Sequence, residues 1–513
     1  MPSSTLLQGK IITSADSTAD FLLYSGAEIT ACGSSAEVSK HLSGRVRIVE
    51  LGEAVALPGL FDSHVHLVQT GLCCMNIDLA DAPDKDTALR RVAEQSALHP
   101  EIVLAFGFDE SNWTIPEMPT LTELDAISSA IPILLARRDS HLFVVNTKAM
   151  RKFGNFLAKE SLSEENINLG IFRGEPGYKL LQESFQSISE ETKIEGVRVA
   201  CQRALLRGIT AIHALEGGKL FGEANARLMQ KLSPDLPIDV IVYPQVTDCD
   251  MVEKEMGLPR IGGCLLVDGS IGARTAALSE PYSDQPDNCG ILYFSDDELF
   301  AFTEEANRRN LQIALHAIGD RAIEQTLTAY RRALFVHPRQ DHRLRIEHFE
   351  LGTDKQIAEC AELGIVLAMQ PTFERLWGGA EKMYGKRLGK RPTNRLATAL
   401  DAGVVVAGGS DSNITPLDSL LGMASAMSHP EVNERLSFAQ TLEVFTENCA
   451  YAGFQEDKLG RLEVGKRANI TILRSDPRLM TPEELSEAEV EATIVGGRSE
   501  YLRPGSELKL NTG

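Results

Sequence analysis

Eight short apolar runs, each closed by a polar residue or a glycine and spaced by stretches of helical periodicity, leave the middle of this chain few architectures to adopt. The runs are Leu60 to His64, Ile209 to His213, Val240 to Tyr243, Cys264 to Val267, Ile313 to His316, Leu344 to Glu347, Ile365 to Met369 and Val404 to Gly408. Continuously apolar strands belong to parallel sheets covered on both faces, and crossover helices supply the cover. Eight such units predict an α/β fold built on a (β/α)8 barrel of the TIM type, in which chemistry gathers at the C-terminal ends of the strands.

The flanks read differently. Short β-type runs at Phe21 to Tyr24, Glu28 to Ala31 and Val46 to Leu51 are broken by Gly, Ser and Asp, and similar runs return at Ala468 to Leu473 and Val490 to Val495. Strands from opposite ends of a chain commonly pair, so residues 1–57 plus 460–513 are expected to form a composite β-sandwich domain. The barrel is then assigned to 58–74 plus 195–459. The stretch between its first two strands is too long for one crossover and has strand-like runs at Ile102 to Phe106 and Ile131 to Ala136. Residues 75–194 are therefore expected as an inserted α/β subdomain. A chain of 513 residues exceeds what one core supports, which agrees with this division.

Charge excludes some partners. With 51 Lys and Arg against 72 Asp and Glu, the net charge of −21 repels phosphate backbones and anionic lipid, so neither nucleic acid nor membrane is expected. A small-molecule substrate fits better, and a homodimer is compatible with everything seen. Nine Cys without C-x-x-C spacing suit a reducing compartment. Met1 to Lys10 lacks a basic segment followed by an apolar one, and no stretch approaches about 18 uninterrupted apolar residues. The expected location is cytoplasmic.

The residues that close the runs carry the chemistry. In His64-Val65-His66 two imidazoles lie two positions apart on an extended segment, so both project to one side and can share a metal. His316 and His348 stand at comparable strand ends. A lone His at such a place is usually a hydrogen-bonded structural residue; four with the same placement point to ligands. Val404 to Gly408 runs through Gly409-Ser410 into Asp411. That carboxylate either caps the next helix or, beside a metal, ligates it and accepts a proton from water.

The order of motifs resembles the amidohydrolase superfamily, specifically its family 3 branch of N-substituted formamide deformylase-like enzymes. The resemblance covers nearly the whole chain and rests on Gly107-Phe108-Asp109-Glu110, Arg138-Asp139-Ser140-His141, Asp268-Gly269-Ser270, His316-Ala317-Ile318-Gly319-Asp320, Arg345-Ile346-Glu347-His348 and Gly409-Ser410-Asp411. The closing Leu459-Gly460-Arg461-Leu462-Glu463-Val464-Gly465-Lys466-Arg467-Ala468-Asn469 is also similar, with Asn where the family has Asp. It implies a divalent metal, zinc foremost, as one or two ions. His64 and His66 bind the more buried ion with Asp411, and His316 with His348 bind a second. The family's bridging carboxylated Lys stands four residues before Asp-Gly-Ser, and here that position is Cys264. Its thiolate either bridges the ions, or Cys264 is a small buried residue and the site holds one metal.

Family positions also imply Arg138, His141 and Arg274 as substrate-binding cations, and Phe373, Trp377 and Tyr384, in the loop after strand seven, as a pocket wall. The implied activity is metal-dependent hydrolysis of an amide or related C–N bond with Asp411 as catalytic base. Two alternatives stay open at this point: the same site hydrolysing an ester or lactone or deaminating a ring, and a catalytically silent ligand-binding protein on the same scaffold.

Overall fold

The computed structural model describes residues 4–42, 45–79, 81–96, 101–110, 113–137, 142–154, 168–173, 175–218 and 222–510. Eight strands carry the central region: β1 (Leu60–Val65), β2 (Ile209–Gly217), β3 (Asp239–Gln245), β4 (Arg260–Leu266), β5 (Gln312–Ala317), β6 (Arg345–His348), β7 (Val366–Met369) and β8 (Val406–Gly408). All their ladders are parallel, in a three-stranded sheet ordered β3-β2-β1 and a five-stranded sheet ordered β4 to β8. The arrangement is α/β and TIM-barrel-like. Past the end of β8, Asp411 N donates to His64 O and His66 N to Ser412 O, each at 2.9 Å, so the last strand's extension is tied to the first strand.

Each expected run overlaps one of these strands. β1 and β2 are buried along their whole length, which explains why they read as unbroken apolar segments. β4 begins earlier than its run, because Gly262-Gly263 broke the apolar pattern inside the strand. Helices between the strands start on capping boxes at Ser295 with Glu298 and Thr353 with Gln356, in which side chain and backbone satisfy each other's first-turn groups.

Seven further strands form one continuous sheet in the order Arg498–Leu502, Val490–Val495, Ile470–Leu473, Val46–Pro58, Ser4–Ser14, Ser17–Ser25 and Glu28–Gly33. Segments from both sides of the central region meet where Val46–Pro58 pairs antiparallel with Ile470–Leu473. Alternation along these strands buries Leu7, Leu22, Ile29 and Ile472 in one cluster and Leu6, Phe21, Leu23 and Ala31 in another. The hydrogen bonding therefore runs through a single seven-stranded sheet with two apolar faces.

A second compact unit spans Val68–Ala200. Its sheet runs Ile171–Arg173, Leu142–Val145, Ile133–Arg137, Val103–Phe108 and Ile77–Asp78, parallel among the last three and antiparallel elsewhere. Phe108, Trp113, Leu124 and Leu135 fill its core. Among the described residues no helix is long and apolar enough to cross a membrane.

Candidate metal centre

Donor atoms from four strands converge at one end of the parallel array. Those of His64, His66 and Asp411 lie within 4.8 Å of one another, and so do those of His64, Cys264 and His348. His64 belongs to both groups. Its Nε2 is buried without a hydrogen-bond partner, an arrangement that a bound cation would satisfy. Imidazole, thiolate and carboxylate together form a donor set suited to zinc or a similar divalent ion.

The backbone is bent to achieve this. Cys264, His348 and Asp411 take φ of 74°, 72° and 55°, left-handed values that cost a side chain-bearing residue about 1–3 kcal/mol each. Cys264 sits in a bulge of β4: Ile261 pairs with Ile313 but Leu265 with Leu315, so four steps on one strand face two on the other. Gly262 has a φ of 94° and no room for a side chain, since a Cβ there would fall 2.4 Å from Ala314 O. At Gly409 a Cβ would meet His64 Cβ at 2.8 Å, so the chain after β8 packs directly against the ligand strand. Asp62 Oδ1 accepts from His64 N at 3.1 Å and Ser410 N at 2.9 Å, clamping the same two segments.

Each ring is held through its outward nitrogen. His66 Nδ1 donates to Leu215 O at 2.8 Å and His348 Nδ1 to Gln370 Oε1 at 2.7 Å. His64 Nδ1 meets Glu347 Oε2 at 2.7 Å. These acceptors place the proton on Nδ1 and leave each Nε2 lone pair facing inward. In that orientation His66 Nε2 is 3.4 Å from Asp411 Oδ1, and His348 Nε2 is 3.6 Å from Cys264 Sγ. His316 is turned the other way. Its Nε2 lies 3.1 Å from Gly269 O and its Nδ1 3.8 Å from Cys264 Sγ. It borders the thiol without joining either donor group.

Burial pushes the Cys264 thiol up, but His64, His316 and His348 outweigh it and hold the thiol well below its ordinary value. Burial also opposes ionisation of Asp411, yet His64, His66 and His348 keep its carboxyl well below the usual range.

The helix-capping reading of Asp411 is overturned: the next helix, Ser419–Met427, is capped by Asp418, whose side chain accepts from Leu421 N. Arg274 makes a paired contact with Asp284, from Nε at 3.1 Å and from Nη2, and both side chains are part-exposed. Arg138 and His141 lie outside the described residues. Beside them, Arg137 holds Asp109 at 3.0 Å and Glu110 at 2.9 Å, both from the Gly-Phe-Asp-Glu motif. Phe373 and Tyr384 stand on short helices, Pro371–Trp377 and Met383–Leu388, rather than in a loop. Their rings and that of Trp377 form a chain from His348, with centroid steps of 6.1, 4.8 and 6.2 Å.

Sequence reasoning missed the outer partners Glu347, Gln370 and Asp62. Glu347 stood in a quoted motif, but its role depends on β6 facing β1, which no spacing reveals.

A family model described as the amidohydrolase family matches residues 47–501. The putative amidohydrolase YtcJ of Bacillus subtilis (strain 168) is 27% identical over 90% of this chain and 92% of its own. N-substituted formamide deformylase of Arthrobacter pascens is 24% identical over 97% of both chains. Among solved structures, an uncharacterized metal-dependent hydrolase from Pyrococcus furiosus superposes with a TM-score of 0.79 at 27% identity, covering 93% of this chain and 100% of that one. With a matching model that spans most of the chain and relatives aligned nearly end to end, the protein belongs to the amidohydrolase family.

Proposed function

We propose that the protein is a metal-dependent hydrolase that cleaves an amide or related C–N bond of a small molecule. The carrying observation is the convergence of His64, His66, Asp411, Cys264 and His348 into two donor groups that share His64. The deformylase of Arthrobacter pascens supports the choice of bond, and the nitrogen and sulfur donors support zinc. A divalent ion held there supplies Lewis acidity, polarising a carbonyl oxygen and acidifying water.

The chain's own residues supply the rest. Asp411, whose Oδ1 lies 3.4 Å from His66 Nε2, takes the proton from the attacking water and returns it to the leaving nitrogen. Cys264, whose Sγ lies 3.8 Å from His316 Nδ1 and 3.6 Å from His348 Nε2, would hold the metal as a thiolate donor at the position where the family has its carboxylated Lys. Backbone bonds between the His64 and Asp411 segments join the two parallel sheets along one side and hold base and ligands in register.

Protein purified without chelator is expected to carry at least one equivalent of zinc. Chelation should abolish hydrolysis across a panel of N-formyl and N-acyl amines, and added zinc should restore it. Under about half an equivalent of divalent metal in protein prepared this way overturns the proposal.

A further inference from the structure

We infer that the buried pair Arg345–Glu347 is a positioning device that fixes His64 as the ligand common to both donor groups and so sets the metal affinity of the centre. The inference rests on the metal-binding reading proposed above and goes beyond it in assigning a role to two residues outside the donor set.

Arg345 and Glu347 stand two positions apart on β6, so their side chains share one face of the strand. Both are fully buried, at 0% exposure. Arg345 Nε donates to Glu347 Oε1 at 2.8 Å and Nη2 to Oε2 at 2.9 Å, a two-pronged ion pair. Oε2 also accepts from His64 Nδ1 at 2.7 Å. The guanidinium reaches further, to Ser63 O at 2.9 Å and His213 Nδ1 at 2.8 Å, and lies 4.5 Å from the Tyr243 ring centroid. A guanidinium stays charged and has no acceptor, so His213 Nδ1 must accept, and His213 is fixed as a neutral ring outside the donor groups.

Fold stability explains this arrangement poorly. Two buried charges lose several kcal/mol each in desolvation, and well-packed apolar substitutes are often neutral or stabilising. What the pair supplies and an apolar substitute cannot is an ionic acceptor on His64. The outer acceptors of His66 and His348 are a backbone carbonyl and a side-chain amide, both uncharged. A carboxylate holds the imidazole tautomer more firmly and makes its other nitrogen a stronger donor. The ring with this partner is also the ring that both donor groups need. Arg345 keeps the carboxylate paired and, through Ser63 O, grips the residue next to the ligand.

The test separates affinity from stability. Zinc affinity is measured by competition with a chelating dye, and stability by urea unfolding of the metal-free protein, in wild type, Glu347→Gln and the double variant Arg345→Met with Glu347→Gln. The double variant, which removes both buried charges at similar volume, is expected to unfold at the same or higher urea while binding zinc about 10–100-fold more weakly. Glu347→Gln should weaken zinc by a similar factor. If it fails to fold, the double variant alone decides. Zinc affinity within twofold of wild type in a folded variant overturns the inference, as does lost stability with unchanged affinity. A wild type that binds no zinc overturns the metal-centre reading itself, which distinguishes that failure from a failure of the positioning role.

Discussion

The two sides of the donor cluster are built on different principles. On the His64, His66 and Asp411 side the two imidazoles close an extended strand, β1, backbone bonds of 2.9 Å tie them to the segment after β8, and the left-handed backbone is confined to Asp411, at a φ of 55°. The Cys264 side depends on distortion: β4 must bulge, Gly262 must take a φ of 94°, and Cys264 itself takes 74°. Regular geometry places ligands that a pattern can announce. At Cys264 the distortion places a residue whose type is unusual for its position, and the fold must offset the strain elsewhere.

Substitutions can break this comparison in order of size. His64→Asn removes the donor common to both groups, so metal content should fall below about half an equivalent by elemental analysis, with activity lost. Retention of an ion by the Cys264 side would show that the two sides are independent. Asp411→Asn is expected to keep the fold and lower kcat about 10²–10⁴-fold in steady-state hydrolysis, since the amide cannot take a proton. Full turnover would remove it as the base. Cys264→Ala should take the metal count from two to one, whereas an unchanged count would reduce the bulge to a packing feature.

Smaller effects sharpen the comparison. Gly262→Ala places a Cβ 2.4 Å from Ala314 O in a left-handed backbone, and a loss of about 2 kcal/mol in urea unfolding is expected. Equal sensitivity at a surface glycine would show that the bulge is not specially strained. Arg274→Ala breaks only its part-exposed pair with Asp284, so stability should change by under about 1 kcal/mol with KM unmoved. A large rise in KM would restore a substrate-binding role to that side chain.

The residues of the cluster were legible because each closes an apolar run: His64, His316, His348 and Asp411 are punctuation in a hydrophobic pattern, and all lie at the cluster or its border. The strand Ser4–Ser14 was not, because Gln8-Gly9-Lys10 interrupts its apolar residues where the pairing shifts register. Orientation was equally invisible. His316 occupies the same topological place as His348 yet presents the opposite ring nitrogen, since Gly269 O and Gln370 Oε1 lie on different sides of their rings. Acceptors from neighbouring strands decide which nitrogen faces inward, and one-dimensional spacing carries no record of strand adjacency. The pairing of Arg274 was hidden for the same reason: its partner Asp284 is in a turn whose path the sequence does not give.

The pairing of Val46–Pro58 with Ile470–Leu473 bears on when the centre can mature. Gly59 N donates to Asn469 O at 2.9 Å and Leu60 N to Thr471 Oγ1 at 3.2 Å, so the root of the strand carrying His64 and His66 is anchored by a segment translated after every donor residue. A ribosome releases the thiol, carboxylate and imidazoles well before it releases their anchor. A nascent chain halted short of residue 470 therefore holds all the donor residues without the anchor at the root of β1.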